Sequence, residues 1–117
     1  MTPEARIQRE IMLALSQAGC LVWRNNTGQA WQGKQIHRAQ DQITLSQCRP
    51  VHFGLCKGSS DLICISPEGF FVAIEVKTSK GRATNEQETF ISAVNKAGGR
   101  AGIARNPEEA LDIALGR

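Results

Sequence analysis

Three charged residues interrupt the two most apolar segments of the chain, and their types are suited to chemistry. Asp61 begins the first segment, whereas Glu75 and Lys77 lie near the end of the second. Because side chains alternate along a strand, Glu75 and Lys77 share one face and Val76 takes the other. Two carboxylates and an amine in this arrangement can hold a hard divalent cation and position a phosphate or a water molecule.

The turn between the two segments decides whether the acids meet. Residues 67–69 read Pro-Glu-Gly, which fits a type I turn with a G1 bulge. This turn pairs Ser66 with Phe70, and the same register places Asp61 opposite Glu75, with Cβ atoms about 5 Å apart. Two facing carboxylates repel each other unless a cation lies between them.

The same residues also allow a purely structural interpretation, in which Glu75 and Lys77 form an exposed ion pair and Asp61 is a turn residue. Three details favour the chemical interpretation. The strand around the charges is long and apolar, a Gly-Ser-Ser run over residues 58–60 leads into Asp61, and a basic run over residues 77–82 follows directly.

The first predicted helix offers a further acid. Thr2 is a typical N-cap and is followed by a proline at the first helical position. At 100° per residue, Glu4 and Gln8 share a stripe with the apolar residues Ile7, Ile11 and Leu15. Glu4 therefore either reaches the acids of the hairpin or acts as a carboxylate at the helix N-terminus.

Gln87 has a comparable double interpretation. Residues 84–87 read Thr-Asn-Glu-Gln, which is the pattern of a capping box at the start of a second helix. The capping role and a contact with the site are compatible.

The remaining elements give an α/β fold. Strands are predicted over residues 21–24, 61–66, 70–77 and 101–104, with a possible short strand at 50–53 and a last helix opening at Asn106. The order α-β-β-β-α-β-α predicts a mixed β-sheet flanked by helices, in one domain over residues 1–117. Cys20 and Cys64 lie in apolar runs and are interpreted as small buried hydrophobic residues.

Charge is concentrated in one part of the chain. The whole sequence has 14 Lys and Arg against 11 Asp and Glu, a net charge of +3, but residues 24–57 hold five basic residues against Asp41 alone. Such a stripe attracts phosphates, although it could also be a solvated loop surface. Residues 25–42 are interpreted as a mobile loop with at most a weak strand. Trp31 within it either stacks on a base or is a core or dimer residue.

No apolar run has the length of about 18 residues that a membrane span needs, and no signal-peptide core is present at the N-terminus. The sequence therefore predicts a soluble, intracellular protein without a membrane partner.

Taken together, these motifs resemble the virus-type replication-repair nucleases (VRR-NUC) of the PD-(D/E)XK superfamily. The resemblance covers nearly the whole chain and is weakest over residues 28–49. Its motifs are Glu4-x-x-Ile7-Gln8, Gly58-Ser59-Ser60-Asp61-Leu62, Glu75-Val76-Lys77, Gln87, Gly98-Gly99-Arg100 and residues 106–111.

The resemblance implies a restriction-endonuclease-like core and a metal-dependent endodeoxyribonuclease. Asp61, Glu75, Glu4 and the Val76 carbonyl would hold Mg²⁺ or Mn²⁺, while Lys77 would orient the attacking water to leave 5′-phosphate and 3′-hydroxyl ends. Gln87 completes the catalytic set. Some superfamily members place the helix acid nearer the position of Gln8.

Small members of the family resemble Holliday-junction resolvases of phages and bacteria. The resemblance implies a homodimer that cuts branched DNA symmetrically, in the cytoplasm of a bacterial or phage-infected cell. Candidate contacts to the DNA backbone are Arg24, Asn25, Asn26, Lys34, Arg38, Lys57, Lys80 and Arg82. Two alternatives stay open, namely a nuclease for flaps, nicked duplex or single strands, and a non-catalytic DNA-binding module with the nuclease fold.

Overall fold

The computed structural model describes residues 1–117 as three helices and six strands. In chain order they are α1 (Pro3–Gln17), β1 (Leu21–Arg24), β2 (Gly28–Arg38), β3 (Ile43–Phe53), β4 (Leu62–Ile65), β5 (Phe71–Val76), α2 (Asn85–Lys96), β6 (Arg100–Ala104) and α3 (Pro107–Leu115).

The central sheet has the strand order β1-β4-β5-β6. β4 pairs antiparallel with both β1 and β5, whereas β6 runs parallel to β5 and is reached through α2. A parallel pair needs such a crossover because its connection must return along the full length of the strands. The predicted mixed sheet flanked by helices is confirmed.

The β4–β5 hairpin has the predicted register. The N–H of Ser66 donates to the carbonyl of Phe70 at 3.0 Å, and the N–H of Gly69 donates to the carbonyl of Ser66 at 2.8 Å. Gly69 has a φ of +96°, which is the left-handed conformation that a G1 bulge requires. The pairing continues to Leu62 opposite Ile74, so Asp61 follows directly on the side of Glu75.

The apolar core lies on one face of the sheet, beneath α1 and α3. It is formed by Ile11 and Leu15 of α1, Leu62 and Cys64 of β4, Val72, Ile74 and Val76 of β5, and Ala110 and Ala114 of α3. The α2 helix packs on β5 and β6. Because Val72, Ile74 and Val76 fill the core, Glu75 and Lys77 face the opposite side of the sheet, as the alternation predicts.

Cys20 and Cys64 are buried free thiols, as predicted. Burial, together with the neighbouring Cys20, raises the pKa of the Cys64 thiol to about 12.

Local signals in the sequence set the helix ends. The Thr2 hydroxyl caps α1 by accepting from the N–H of Ala5 at 3.1 Å, and Gly19 follows α1 with a φ of +91°. Asn106 caps α3 by accepting from the N–H of Glu109 at 2.8 Å. None of the three helices has the length and apolar character that a membrane crossing needs.

The prediction of a mobile loop over residues 25–42 is wrong. β2 and β3 form a separate two-stranded antiparallel sheet, which we call the arm (residues 28–53). The possible strand at 50–53 is only the end of β3. The arm packs on no other element to more than a marginal degree, and the molecule measures 52 Å along its longest axis against 31 and 29 Å along the others.

The two strands of the arm could not be predicted from the sequence, because both faces of the arm are exposed to solvent. A strand is recognised by an alternation of apolar and polar residues, and that alternation arises only where one face is buried. Trp31 illustrates this, since 62% of its surface is exposed opposite Pro50. Trp31 is therefore not a core residue.

Two isoleucine substitutions compare the contribution of the apolar core to stability with that of the arm. Ile74 is fully buried in the core, so Ile74→Ala is expected to lower the free energy of unfolding by about 2–5 kcal/mol. Ile36→Ala, at an exposed position of β2, is expected to change it by less than about 0.5 kcal/mol. Urea titrations followed by circular dichroism measure both. A comparable loss in the two variants would mean that the arm folds as part of the core.

Candidate active site

The ends of β4 and β5 bring three predicted residues together. The Val76 N–H donates to Oδ2 of Asp61 at 2.8 Å, which fixes this carboxylate against the end of β5. The Nζ of Lys77 lies 3.4 Å from Oε2 of Glu75. The structure therefore gathers Asp61, Glu75 and Lys77 at one edge of the sheet, which we call the acid–lysine cluster.

Glu75 is the unusual member of this cluster, because only 2% of its surface is exposed. Burial, together with the adjacent Asp61, raises the pKa of this carboxyl to about 8 against the opposing effect of Lys77. A buried carboxylate is costly unless it is paired, and Lys77 pairs with only one of its oxygens.

Gln87 performs both of its predicted roles. Its Nε2 donates to Oε2 of Glu75 at 3.0 Å, while its Oε1 accepts from the N–H of Thr84 at 2.9 Å. The Thr84 hydroxyl accepts in return from the Gln87 N–H at 3.2 Å, which completes the capping box. The start of α2 thus orients the amide that holds Glu75.

Two polar atoms at this site have no partner. They are Oε1 of Glu75 and Oγ of Ser60, and they are the only buried side-chain oxygens or nitrogens of the chain without a hydrogen bond. Buried polar atoms are almost always satisfied, so two exceptions beside Asp61 call for an explanation.

Asn25 holds the segment that leads into Asp61. Its Nδ2 donates to Oγ of Ser59 at 2.7 Å and to the carbonyl of Ser60 at 2.9 Å. Its Oδ1 accepts from the N–H of Leu55 at 3.2 Å, and its own N–H donates to the Asp61 carbonyl at 2.8 Å. Sequence analysis proposed Asn25 as a DNA contact, but its amide is engaged within the chain.

Gly58 shows how closely this segment approaches α2. Its φ is +84°, and a Cβ at this position would lie 2.6 Å from the backbone of Glu86. A side chain at position 58 would therefore push the Asp61 segment away from the start of α2.

Arg105 is a site residue that sequence analysis missed. Its guanidinium donates to the carbonyls of Thr78 and Gly81 at 2.6 and 2.8 Å, which fastens the loop after β5 to the end of β6. The N–H of Lys77 donates to the carbonyl of Ala104 at 3.1 Å. No local sequence signal points to Arg105, because its partners lie more than 20 residues away.

The start of α1 lies beside this loop rather than within the acid–lysine cluster. Glu4, Gln8 and Thr78 line a depression of about 440 Å³ together with other residues of the first turn. The chain contains no cluster of three or more His, Cys, Asp or Glu residues suited to a metal. The role of Glu4 as a ligand beside Asp61 and Glu75 stays a prediction. The choice between Glu4 and Gln8 as the helix residue of the site stays a prediction.

The other residues predicted to contact DNA are exposed and spread over three regions. Arg24 and Asn26 lie at the base of the arm, Lys34 and Arg38 lie on β2, and Lys80 and Arg82 lie on the loop after β5. Lys57 lies 3.8 Å from Glu86 in an exposed ion pair, which contributes little. Contact of these residues with DNA stays a prediction.

The acid–lysine cluster suits a hard divalent cation. The unpaired Oε1 of buried Glu75 and the carboxylate of Asp61 are oxygen donors at one place, and a cation would satisfy the first while relieving the repulsion between the two. Mg²⁺ commonly uses only one or two protein carboxylates and completes its shell with water and substrate phosphate. Asp61 and Glu75 are therefore enough carboxylates for a Mg²⁺ site.

Comparisons with known proteins give one match to a family model and one match in fold. The family model of the VRR-NUC domain matches residues 2–106. A solved structure described as a VRR-NUC domain is similar in fold, with a TM-score of 0.59 at 17% sequence identity, and the match covers 94% of this chain and 91% of that chain. No curated protein matches the sequence significantly.

The raised pKa of Glu75 predicts a pH-dependent stability. Between pH 4.5 and about 8 the unfolded chain has released the Glu75 proton while the folded protein keeps it, so the free energy of unfolding falls as pH rises. In the presence of a chelator, Glu75→Gln is expected to have a higher Tm than the wild type, with a difference that widens from about pH 5 to about pH 8. Thermal melts across this range measure the difference.

The matched control is Glu88→Gln, at an exposed glutamate of α2 that forms no ion pair or side-chain hydrogen bond. Its Tm difference from the wild type is expected to stay constant with pH. A constant difference for Glu75→Gln as well would show that Glu75 is ionised in the folded protein throughout this range.

Proposed function

The chain belongs to the VRR-NUC domain family, a family of nuclease-type DNA-processing domains, and from this premise we propose that it is a metal-dependent, structure-specific DNA endonuclease. Its proposed substrate is a four-way junction, which it resolves as a homodimer. We treat residues 1–117 as one nuclease domain. Its proposed location is the cytoplasm of a bacterial or phage-infected cell, as in the small family members that it resembles.

One observation carries the proposal of metal-dependent hydrolysis. Glu75 is buried with one oxygen unpaired, directly beside the carboxylate of Asp61. A protein that used these residues only for stability would be expected to pair both oxygens or to replace the acid by an apolar residue. The arrangement is costly for the isolated chain and becomes favourable when Mg²⁺ or Mn²⁺ binds to Asp61, Glu75 and the Val76 carbonyl.

Each residue of the site has a role in the proposed reaction. Gln87 holds Oε2 of Glu75, so that Oε1 keeps its direction. The Lys77 amine, 3.4 Å from the same carboxylate, can donate to a water molecule or to a phosphate oxygen and align the water with the phosphorus. A cation held by Asp61 and Glu75 would supply Lewis-acid stabilisation of the charge that develops on the phosphate. Cleavage would leave a 5′-phosphate and a 3′-hydroxyl.

The proposal of a homodimer follows from the symmetry of the substrate. Resolving a four-way junction requires two cuts in strands related by a two-fold axis, and a C2 dimer presents two identical sites in that arrangement. The exposed basic residues at the base of the arm and on the loop after β5 lie on both sides of the Asp61 segment in the chain, where they could contact the backbone of a strand entering the site.

Metal binding can be measured without cleavage. A ligand that binds only the folded state adds about 1.4 kcal/mol at ten times its Kd, so Mn²⁺ or Mg²⁺ is expected to raise the Tm of the wild type. Asp61→Asn and Glu75→Gln are expected to show little or no increase, whereas the control Glu88→Gln keeps the wild-type increase. An equal increase in all four proteins would place the cation elsewhere.

Activity is tested with a labelled four-way junction beside a linear duplex and a 5′ flap. In Mg²⁺ or Mn²⁺ the wild type is expected to make paired, symmetric nicks near the crossover. Glu75→Ala is expected to abolish them. Lys77→Ala is expected to slow cleavage by roughly 10²–10⁴-fold, since it removes a positioned donor from the reaction.

Other outcomes separate the alternatives. Preferential cutting of the flap or the duplex would retain the nuclease and replace the junction substrate. Binding of the junction without cutting of any substrate, equal with and without metal, would indicate a non-catalytic DNA-binding module. Cleavage that survives Glu75→Ala would exclude the acid–lysine cluster as the active site.

A further inference from the structure

The arm is a surface without a partner in the chain. An isolated two-stranded sheet is marginally stable in water, because it has no buried face and leaves two edges of unpaired backbone groups. In this arm four large apolar residues are exposed: Trp31, Ile36, Ile43 and Phe53. Both strands are nevertheless 11 residues long. We therefore expect a binding partner to cover the exposed faces or edges of the arm.

The charge of the arm selects the partner. Residues 28–53 contain Lys34, Arg38 and Arg49 and two histidines, with Asp41 as the single acid, together with six glutamines. Two copies of such a surface repel each other, whereas a polyanion is attracted. Glutamine and arginine side chains also provide the donors that contact phosphate oxygens and base edges.

The shape of the arm suits one class of polyanion. The major groove of B-DNA admits a two-stranded β-ribbon, and a ribbon that follows the groove must twist. The arm has two register shifts, between Gln32 and Lys34 and between Gln35 and His37, and such bulges increase the local twist. From Gly28 to Arg38 the ribbon extends roughly 33 Å, which is about one turn of duplex DNA.

The base of the arm is fixed to the candidate active site. Asn25 precedes β2 and joins Leu55, which follows β3, to the Ser59–Ser60 segment before Asp61. At the same place Gly54 packs so closely on Thr27 that a Cβ on residue 54 would clash with the Thr27 side chain. The arm therefore has a fixed position relative to the acid–lysine cluster. A DNA duplex bound at the cluster could contact the arm at a constant distance from the cleavage site.

We propose that the arm lies in the major groove of duplex DNA and contacts it up to about one helical turn from the cleavage site. This inference rests on the proposed function, because it assumes that DNA is the substrate. Lys34 and Arg38 contact phosphates along the outer half of β2, and Trp31 lies against the DNA nearer the base. The arm thereby supplies affinity for the duplex flanking the cut and takes no part in the chemistry.

The salt dependence of binding tests the phosphate contacts. Binding of a 30-bp duplex and of a junction is measured in EDTA, so that no cleavage occurs, with the wild type and Lys34→Ala/Arg38→Ala. Each lost phosphate contact reduces the slope of log K against log[salt] by about 0.9, so the double variant is expected to lose about 1.8. When the salt concentration rises from 50 to 200 mM, both proteins lose affinity, and the factor lost by the double variant is expected to be roughly 12 times smaller than the factor lost by the wild type. Arg9→Ala/Lys96→Ala removes two exposed charges outside the arm and is expected to keep the wild-type slope.

Trp31 reports directly on the occupancy of the arm. The chain has two tryptophans, so Trp23→Phe leaves Trp31 as the single fluorophore. Titration with the same duplex is expected to quench or shift its emission. Without DNA, the emission of this exposed side chain is expected to be independent of protein concentration.

The outcomes distinguish this inference from the proposed function. Normal junction cleavage with an unchanged salt slope in Lys34→Ala/Arg38→Ala and an unresponsive Trp31 would overturn the arm as a DNA contact and leave the nuclease intact. Trp31 emission that changes with protein concentration in the absence of DNA would assign the arm to a second copy of the chain and also overturn it. Absence of binding to any DNA would overturn both proposals.

Discussion

The burial of one carboxylate is the constraint on which the rest of the site depends. Glu75 lies in β5, one of the two inner strands of a four-stranded sheet, and is almost inaccessible to solvent. Removing a carboxylate from water costs several kcal/mol, so neighbouring groups must compensate. Lys77 supplies a charge and Gln87 a hydrogen bond, but both act on the same oxygen. The other oxygen has no hydrogen-bond partner, and Asp61 lies beside the same carboxyl group.

Residues distant in the sequence from the acids keep this arrangement in place. Asn25 holds the segment before Asp61, and Arg105 holds the loop after Lys77. Each uses a side chain with several donors to bind backbone carbonyls that belong to no regular element. The acid–lysine cluster is thus held from two directions, by the end of β1 on one side and the end of β6 on the other, and the core beneath it provides only apolar packing.

The parts that could be predicted from the sequence are those set by local chemistry. The Pro-Glu-Gly turn fixes the register of β4 and β5, and this register alone brings Asp61 to Glu75. The capping box at Thr84 likewise fixes Gln87. The arm could not be predicted, because solvent on both faces removes the alternation that identifies a strand. Arg105 could not be predicted either, since its partners come from a distant part of the chain.

The connections of the sheet also determine when the site comes into existence. Asp61 and Glu75 belong to one hairpin with a three-residue turn, and closing so short a loop costs little entropy. Arg105 arrives only after β6 has paired in parallel with β5, and non-local pairing of this kind is slow. A newly made chain is therefore expected to bring its two acids together early and to acquire the fastening of the Lys77 loop last. The docking of β6 is therefore the folding step that gives the loop after β5 its hydrogen bonds to Arg105.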